Sequence, residues 1–267
     1  MTAPAGAPPA AAPLVEVRGL TYRYPHGAAA LDDVHLAIAD GDVVALLGPN
    51  GAGKSTLLTH LAALVPAPAV TAFGLPATAP HLVRIRAQVG IVFQRADDQL
   101  FMPTVEEDVA FGPAQQGLDP AAVEARVTEA LAAVGLSGAR RRAPHHLSAG
   151  EKRAVAIATV LAMRPRLLLF DEPTADLDPR ARRGLIRLLA TLPGPKVLAL
   201  HDLELALELC PRAVVLDGGR VAADGPTRAI LEDGALLAAH GLEPPLSLVL
   251  ARAEGRIREL ERREGRG

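Results

Sequence analysis

Eight residues, Gly48-Pro49-Asn50-Gly51-Ala52-Gly53-Lys54-Ser55, follow the spacing G-x-x-x-x-G-K-S and lie between an apolar run and the start of a helical pattern. Glycines at these spacings let the backbone curl so that successive N–H groups face phosphate oxygens, and the helix start adds partial positive charge. Lys54 would reach the β and γ phosphates of a nucleoside triphosphate and Ser55 would offer its hydroxyl to Mg²⁺, with Thr56 the next candidate contact. Scarcity makes the lysine informative: of 28 Lys and Arg residues only Lys54, Lys152 and Lys196 are lysines. A second set follows at Leu167-Leu168-Leu169-Phe170-Asp171-Glu172, an apolar run that delivers two carboxylates to its end. Successive strand residues point in opposite directions, so Asp171 would hold Mg²⁺ while Glu172 polarises an attacking water as general base. A phosphate loop alone fits a kinase, a GTPase, a recombinase or a transporter motor equally well.

These groups need a scaffold that brings several strand ends to one edge. Val43 to Leu47 is a fully apolar strand entering the glycine loop, and a helix is expected from Thr56 to Val65, stopped by Pro66 and Pro68. Leu14 to Val17 and Val34 to Ile38 read as half-buried strands by their period of two. The stretch between Pro68 and Pro120 reads as loop-rich. Helical patterns then run over 120–134, 147–163, 180–192 and 203–209, and the last three alternate with strands at 167–170, 197–200 and 213–216. Alternation at that spacing implies a parallel sheet covered by helices. With 267 residues, 49% hydrophobic and 22% charged, the chain can bury its own core, and a net charge of −2 supplies no global attraction for nucleic acid or anionic lipid. Its single cysteine, Cys210, excludes intramolecular disulfides, and no apolar run reaches the 18 residues of a membrane span. Residues 1–13, Ala and Pro rich and without charged side chains, read as a disordered leader.

Leu147-Ser148-Ala149-Gly150-Glu151, shortly before the two carboxylates, resembles the signature sequence of ABC ATPases. Ala175-Asp176-Leu177-Asp178 resembles their D-loop, Gln94 their Q-loop glutamine and His201 their switch histidine. Tyr24 falls where that family places an aromatic that stacks on adenine, with Tyr22 as a near competitor. The resemblance spans about residues 14–225. It implies an α/β fold of the P-loop NTPase type, with a RecA-like core, an antiparallel β subdomain and an inserted helical subdomain. The expected domains are 14–239 for the ATPase, with its insert at about 95–150, and 240–267 for a helical extension. Two ATP molecules would lie between two subunits, each held by the phosphate loop of one and the signature of the other, so Ser148 and the Gly150 N–H would touch the γ-phosphate in trans. His201 would contact that phosphate and help hold Glu172, and Gln94 would join Ser55 and Asp171 around Mg²⁺. The chain departs from the usual L-S-G-G-Q at Ala149, costly if that position needs a positive φ, and at Glu151, whose carboxylate repels a triphosphate unless engaged elsewhere. Ser148-x-x-Glu151 is also a capping box, which would engage it. His145 and His146 have no ligand spacing and read as structural or exposed.

Gln94 to Phe101, followed by Pro103 to Pro113, resembles the Q-loop region of energy-coupling factor ATPases, closest to the cobalt and nickel branch. That resemblance implies a groove for a cytoplasmic helix of a transmembrane coupling protein. Phe101 and Phe111 would form its apolar part, and Asp97, Asp98, Glu106 and Asp108 a rim able to accept arginine. It further implies a second ATPase subunit, identical or paralogous, a substrate-binding membrane subunit, and a place at the cytoplasmic face of the membrane. Leu246, Val249, Leu250, Ala253, Ile257 and Leu260 share one helical face, expected to pack on this domain or a twin rather than on lipid. The alternatives are a vitamin importer of the same type, a conventional ABC transporter, and a soluble ABC protein on ribosomes or DNA, which usually has two fused halves or a long coiled coil.

Overall fold

The computed structural model describes residues 12–27 and 29–254, so the expected leader lies outside the described residues except for positions 12 and 13. In chain order the elements are β1 (Val15–Arg23), β2 (Ala29–Ile38), β3 (Val43–Leu47), α1 (Lys54–Leu61), β4 (Ala67–Ala72), β5 (Leu75–Ala77), α2 (Leu82–Arg86), β6 (Val89–Val92), α3 (Val105–Gln115), α4 (Pro120–Ala133), α5 (Ala149–Ala162), β7 (Leu167–Asp171), α6 (Pro179–Thr191), β8 (Lys196–Ala199), α7 (Leu203–Leu209), β9 (Arg212–Asp217), β10 (Arg220–Pro226), α8 (Thr227–Glu232) and α9 (Gly234–Ala239). A last helix, α10, covers 246–254.

Six strands form one sheet in the order β10-β9-β3-β8-β7-β6, parallel from β9 to β6, with β10 antiparallel at the edge. Four more form an antiparallel sheet, β2-β1-β4-β5. The apolar runs have no polar face because both faces of the parallel sheet are covered. Val44 and Leu46 of β3 join a core with α1 and the antiparallel sheet, whereas Ala45 and Leu47 join a second core with α5, α6 and α7. Each Val or Leu buried in this way contributes about 1.5–3 kcal/mol. A third cluster, with Val105, Val109, Val127, Leu131 and Val155, holds α3, α4 and α5 together.

The structure corrects three expectations. Helix α1 stops at Leu61, before the prolines, because Ala63 turns left-handed (φ 52°) and its carbonyl accepts from Arg86 Nε at 2.9 Å. The stretch between Pro68 and Pro120 is not loop-rich: it contains most of the β4–β5 hairpin, α2, β6 and α3. The hairpin turns on Phe73 and Gly74, both at positive φ, and α3 starts with a Thr104–Glu107 capping box and carries Pro113 inside it. Finally, of the two alternatives for the C-terminal face, packing on this domain is overturned for Leu246, Val249 and Leu250, which are exposed while Leu248 packs there instead, and packing on a twin subunit stands as the expectation; Ile257 and Leu260 lie outside the described residues.

Helix α5 approaches β6 at Gly90, where an added Cβ would lie 2.1 Å from Val160 Cγ1 and 2.9 Å from Pro165 Cγ. Gly90→Ala is therefore expected to cost about 1–3 kcal/mol by overpacking, read as a lower urea midpoint, and Val160→Ala in the same chain should recover part of it. An unchanged midpoint would contradict this packing.

Candidate functional site

Parallel pairing of neighbouring strands sets the site. The loops leaving β3, β8, β7 and β6 at their C-terminal ends carry the glycine loop, His201, Glu172 and Gln94 in turn. In the glycine loop, Gly48, Gly51 and Gly53 take φ values of 146°, 79° and 103°. A Cβ at Gly48 would meet the Leu216 carbonyl at 2.0 Å and one at Gly53 the Ala30 carbonyl at 2.4 Å, so two of these glycines are required by space as well as by conformation. Gly53 caps α1 without any side-chain bond, which leaves the first-turn N–H groups facing the loop. Lys54 is buried and donates to the Gly48 and Pro49 carbonyls at 2.7 and 3.0 Å. Burial lowers its pKa, opposed by the fields of Glu172 and Asp171. The loop, with Tyr24, Glu172 and His201, lines a cavity of about 420 Å³. The Tyr24 hydroxyl lies 2.8 Å from Thr56 Oγ1, whereas Tyr22 packs edge-on to His60 and does not line the cavity.

The two carboxylates separate as their alternation requires. Asp171 is buried at the end of β7, which pushes its pKa up; it accepts from the Ser55 hydroxyl, yet its Oδ1 has no partner. Glu172 has left-handed backbone (φ 45°), and its N–H donates to the Ala199 carbonyl at 3.0 Å. Gln94 Nε2 donates to Glu172 Oε2 at 3.1 Å and His201 Nε2 lies 2.6 Å from Oε1, so both oxygens are held. Behind His201, Asp202 caps α7 and pairs with Arg182 of α6, a link that sequence reading missed because the two are 20 residues apart.

Ser148 and Glu151 form the expected capping box at the start of α5. Glu151 Oε2 accepts from the Ser148 N–H at 2.8 Å and Oε1 pairs with Arg142 at 2.7 Å; these bonds hold its pKa below the usual carboxylate range. The carboxylate is thus engaged, and Ala149, the first residue of α5, is not left-handed, so the alanine carries no strain there. Gly150 is needed where α5 meets α6: a Cβ would lie 2.8 Å from Ala181 Cβ. Asp178 caps α6 and Asp176 takes φ 59°. Ser148, Gly150, Glu151 and Asp178 line a different cavity, of about 580 Å³, so the phosphate loop and the signature of one chain open onto separate spaces.

Phe101 and Phe111 are exposed and meet edge-to-face at 5.1 Å. Of the four acids expected around them, one does not face solvent. Asp108 is buried, accepts from the Phe101 and Met102 N–H groups and has its pKa raised by burial. Glu106 pairs with Arg140 at 3.1 Å, Asp97 with Lys152 at 2.7 Å and Asp98 lies 3.9 Å from Arg95, and the side chains of Asp97 and Asp98 both remain exposed. His145 and His146 are exposed and contact only each other among ring partners in the described residues.

Residues 31–175 match the family described as ABC transporter. The chain is 48% identical to the cobalt import ATP-binding protein CbiO of Rhodobacter capsulatus, over 92% of this chain and 90% of that one. It is 44% identical to the energy-coupling factor transporter ATP-binding protein EcfA of Methanothermobacter thermautotrophicus, over 87% and 77%. The structure of cbiO1 from Clostridium perfringens, described as part of the ABC transporter complex cbiONQ, superposes with a TM-score of 0.76 at 31% identity, over 92% of this chain and 99% of that one.

The glycine loop generates a graded expectation. Gly51→Ala, with open space but positive φ, should weaken ATP binding about fivefold, the equivalent of ~1 kcal/mol of backbone strain. Gly53→Ala, which adds a collision with the Ala30 carbonyl, should weaken it at least tenfold more. Titration with a fluorescent ATP analogue checks both, and equal effects would contradict the geometry.

Proposed function

The chain belongs to the ABC transporter ATP-binding family, and from that membership we propose that it is the ATP-hydrolysing energy-coupling subunit of an importer of the energy-coupling factor type, carrying cobalt or nickel ions. The observation that carries the chemistry is Glu172, its two oxygens held by Gln94 and His201 in the same cavity edge as Lys54. Support for the importer class comes from the relatives named for cobalt import and energy coupling, and from the exposed Phe101–Phe111 pair.

In this reading the Gly48–Thr56 loop binds the phosphates with its N–H groups, and Lys54 exchanges two backbone carbonyls for the β and γ oxygens. Tyr24 stacks on the adenine. Ser55, Asp171 and Gln94 form the set for Mg²⁺: hydroxyl, carboxylate and amide oxygens suit a hard cation, and the unpartnered Asp171 Oδ1 is a free donor for it. Bound there, Mg²⁺ would neutralise charge on the β and γ phosphate oxygens. Glu172 accepts the proton of the attacking water as that water's oxygen bonds to the γ-phosphorus, and the β–γ bridging oxygen leaves with ADP. His201 contacts the γ-phosphate and fixes Glu172.

Ser148, Ala149, Gly150 and Glu151 serve the ATP of a second ATPase subunit, identical or paralogous, with Asp176 and Asp178 alongside. The separate cavities support this, because the signature does not reach its own phosphate loop. Arg142 neutralises Glu151, so the departure from glutamine leaves no free charge against the triphosphate. Among the described residues no helix is long and apolar enough to cross a membrane. Attachment is through partners at the cytoplasmic face: Phe101, Phe111, Asp97 and Asp98 receive a helix of the transmembrane coupling protein, and a separate membrane subunit binds the ion.

Purification of the tagged chain from gently solubilised membranes should recover small hydrophobic coupling and metal-binding proteins with ATPase activity. Glu172→Gln should lower that activity about 100-fold or more while the partners stay bound, and Phe101→Ser with Phe111→Ser should release them. Recovery of conventional transporter subunits, or an unchanged rate in Glu172→Gln, would contradict the proposal.

A further inference from the structure

Arg153 is the one arginine among the described residues that is buried, with 5% of its surface exposed. It lies on α5, five residues after Ser148. Its Nη1 donates to the Phe93 carbonyl at 2.7 Å, its Nε has no partner, and it forms no ion pair among the described residues. Packing alone does not account for it, since an unbranched apolar side chain would occupy the space without desolvating a guanidinium or orphaning an N–H. Burial lowers its pKa, and the nearby charges that oppose this are Asp176 first and then Asp171.

The surroundings give that placement a meaning. Phe93 immediately precedes Gln94, whose amide holds Glu172. Lys152, the preceding residue on α5, pairs with Asp97, and Gln99 Nε2 donates to the Ala156 carbonyl of α5 at 2.9 Å. The segment from Phe93 to Gln99 is therefore stitched along the signature helix. Asp176, in left-handed backbone, stands between the carboxylate pair and Asp178.

We propose that Arg153 is a positioning residue that ties the signature half-site of one chain to the hydrolytic half-site of the same chain. Its Nη1 fixes the Phe93 carbonyl, and hence Gln94 against Glu172. Its unpartnered Nε is the donor that Asp176 takes up when nucleotide at either half-site shifts α5 against the sheet. Occupancy of the signature by the second subunit's ATP is thereby felt at this chain's own Glu172. The inference rests on the ATPase reading above and adds a route between the two sites.

The test measures ATP hydrolysis against ATP concentration for the full chain, for Arg153→Met and for Arg153→Lys, with nucleotide affinity and thermal midpoint measured alongside. Arg153→Met should lower kcat about 30-fold and bring the Hill coefficient towards one, with affinity within about twofold of wild type. Arg153→Lys, keeping the charge but one arm, should fall between. A wild-type kcat and Hill coefficient in Arg153→Met would overturn the inference, as would parallel losses of kcat, affinity and thermal midpoint. If the Met variant does not fold, Arg153→Lys decides: intermediate kcat at unchanged affinity supports the role, and wild-type behaviour overturns it. A wild-type chain without ATPase activity would overturn the functional reading and this inference with it; active wild type with equally active variants overturns the inference alone.

Discussion

The parallel ladder that joins β3, β8, β7 and β6 is the constraint on which the site depends. Its register, with Val44 opposite Val197, Phe170 opposite Leu198 and Val92 opposite Phe170, ends four strands at nearly one level. Everything with chemical potential leaves from that edge within a few residues: Gly48 after β3, His201 after β8, Asp171 and Glu172 at β7, Gln94 after β6. A slip of one residue would turn each strand's core set to the opposite face, so the buried Val and Leu residues fix the site as firmly as they fix the fold. In this register α1 and the antiparallel sheet cover one of the two sets and α5 to α7 cover the other.

Two of the six non-glycine residues at positive φ among the described residues stand where the edge becomes a site. Glu172 and Asp176, neither a glycine, take left-handed backbone, at a cost of about 1–2 kcal/mol each. At Glu172 the ladder continues one bond further, into the Ala199 carbonyl, and two side chains grip its carboxylate. The surrounding structure thus over-determines the conformation and aims the side chain into the cavity. The signature lies elsewhere, on α5 beside α6, and opens onto its own space. One chain therefore presents two unlike cavities, and the buried Arg153 of α5 bonds the Phe93 carbonyl beside Gln94.

Local signals made much of this legible in the sequence. The fully apolar strands, the glycine loop and the Ser148-x-x-Glu151 cap each sit within a few residues, and strand-helix alternation gave the parallel sheet. Elements whose reasons are non-local escaped notice. Phe73 is not a usual residue for a left-handed turn, Gly90 leaves β6 short and weakly patterned, and Pro113 disguises α3, whose Gly112 lies against the Met163 side chain. The acidic residues near Phe101 read as a free rim because their partners, Lys152 and Arg140, are 55 and 34 residues away. Exposure of Leu246, Val249 and Leu250 was equally invisible, since periodicity fixes which residues share a face but not what covers it.

In the proposed function Glu172 acts as general base only as part of a unit with the histidine that grips it. A double-mutant cycle on kcat tests this directly, comparing His201→Ala, Glu172→Gln and the two together in the full chain. Residues that act as a unit lose their effect once, so the double variant should be no more than about threefold slower than Glu172→Gln alone. Losses that multiply across the pair would mean that the two side chains act independently, and would contradict the account.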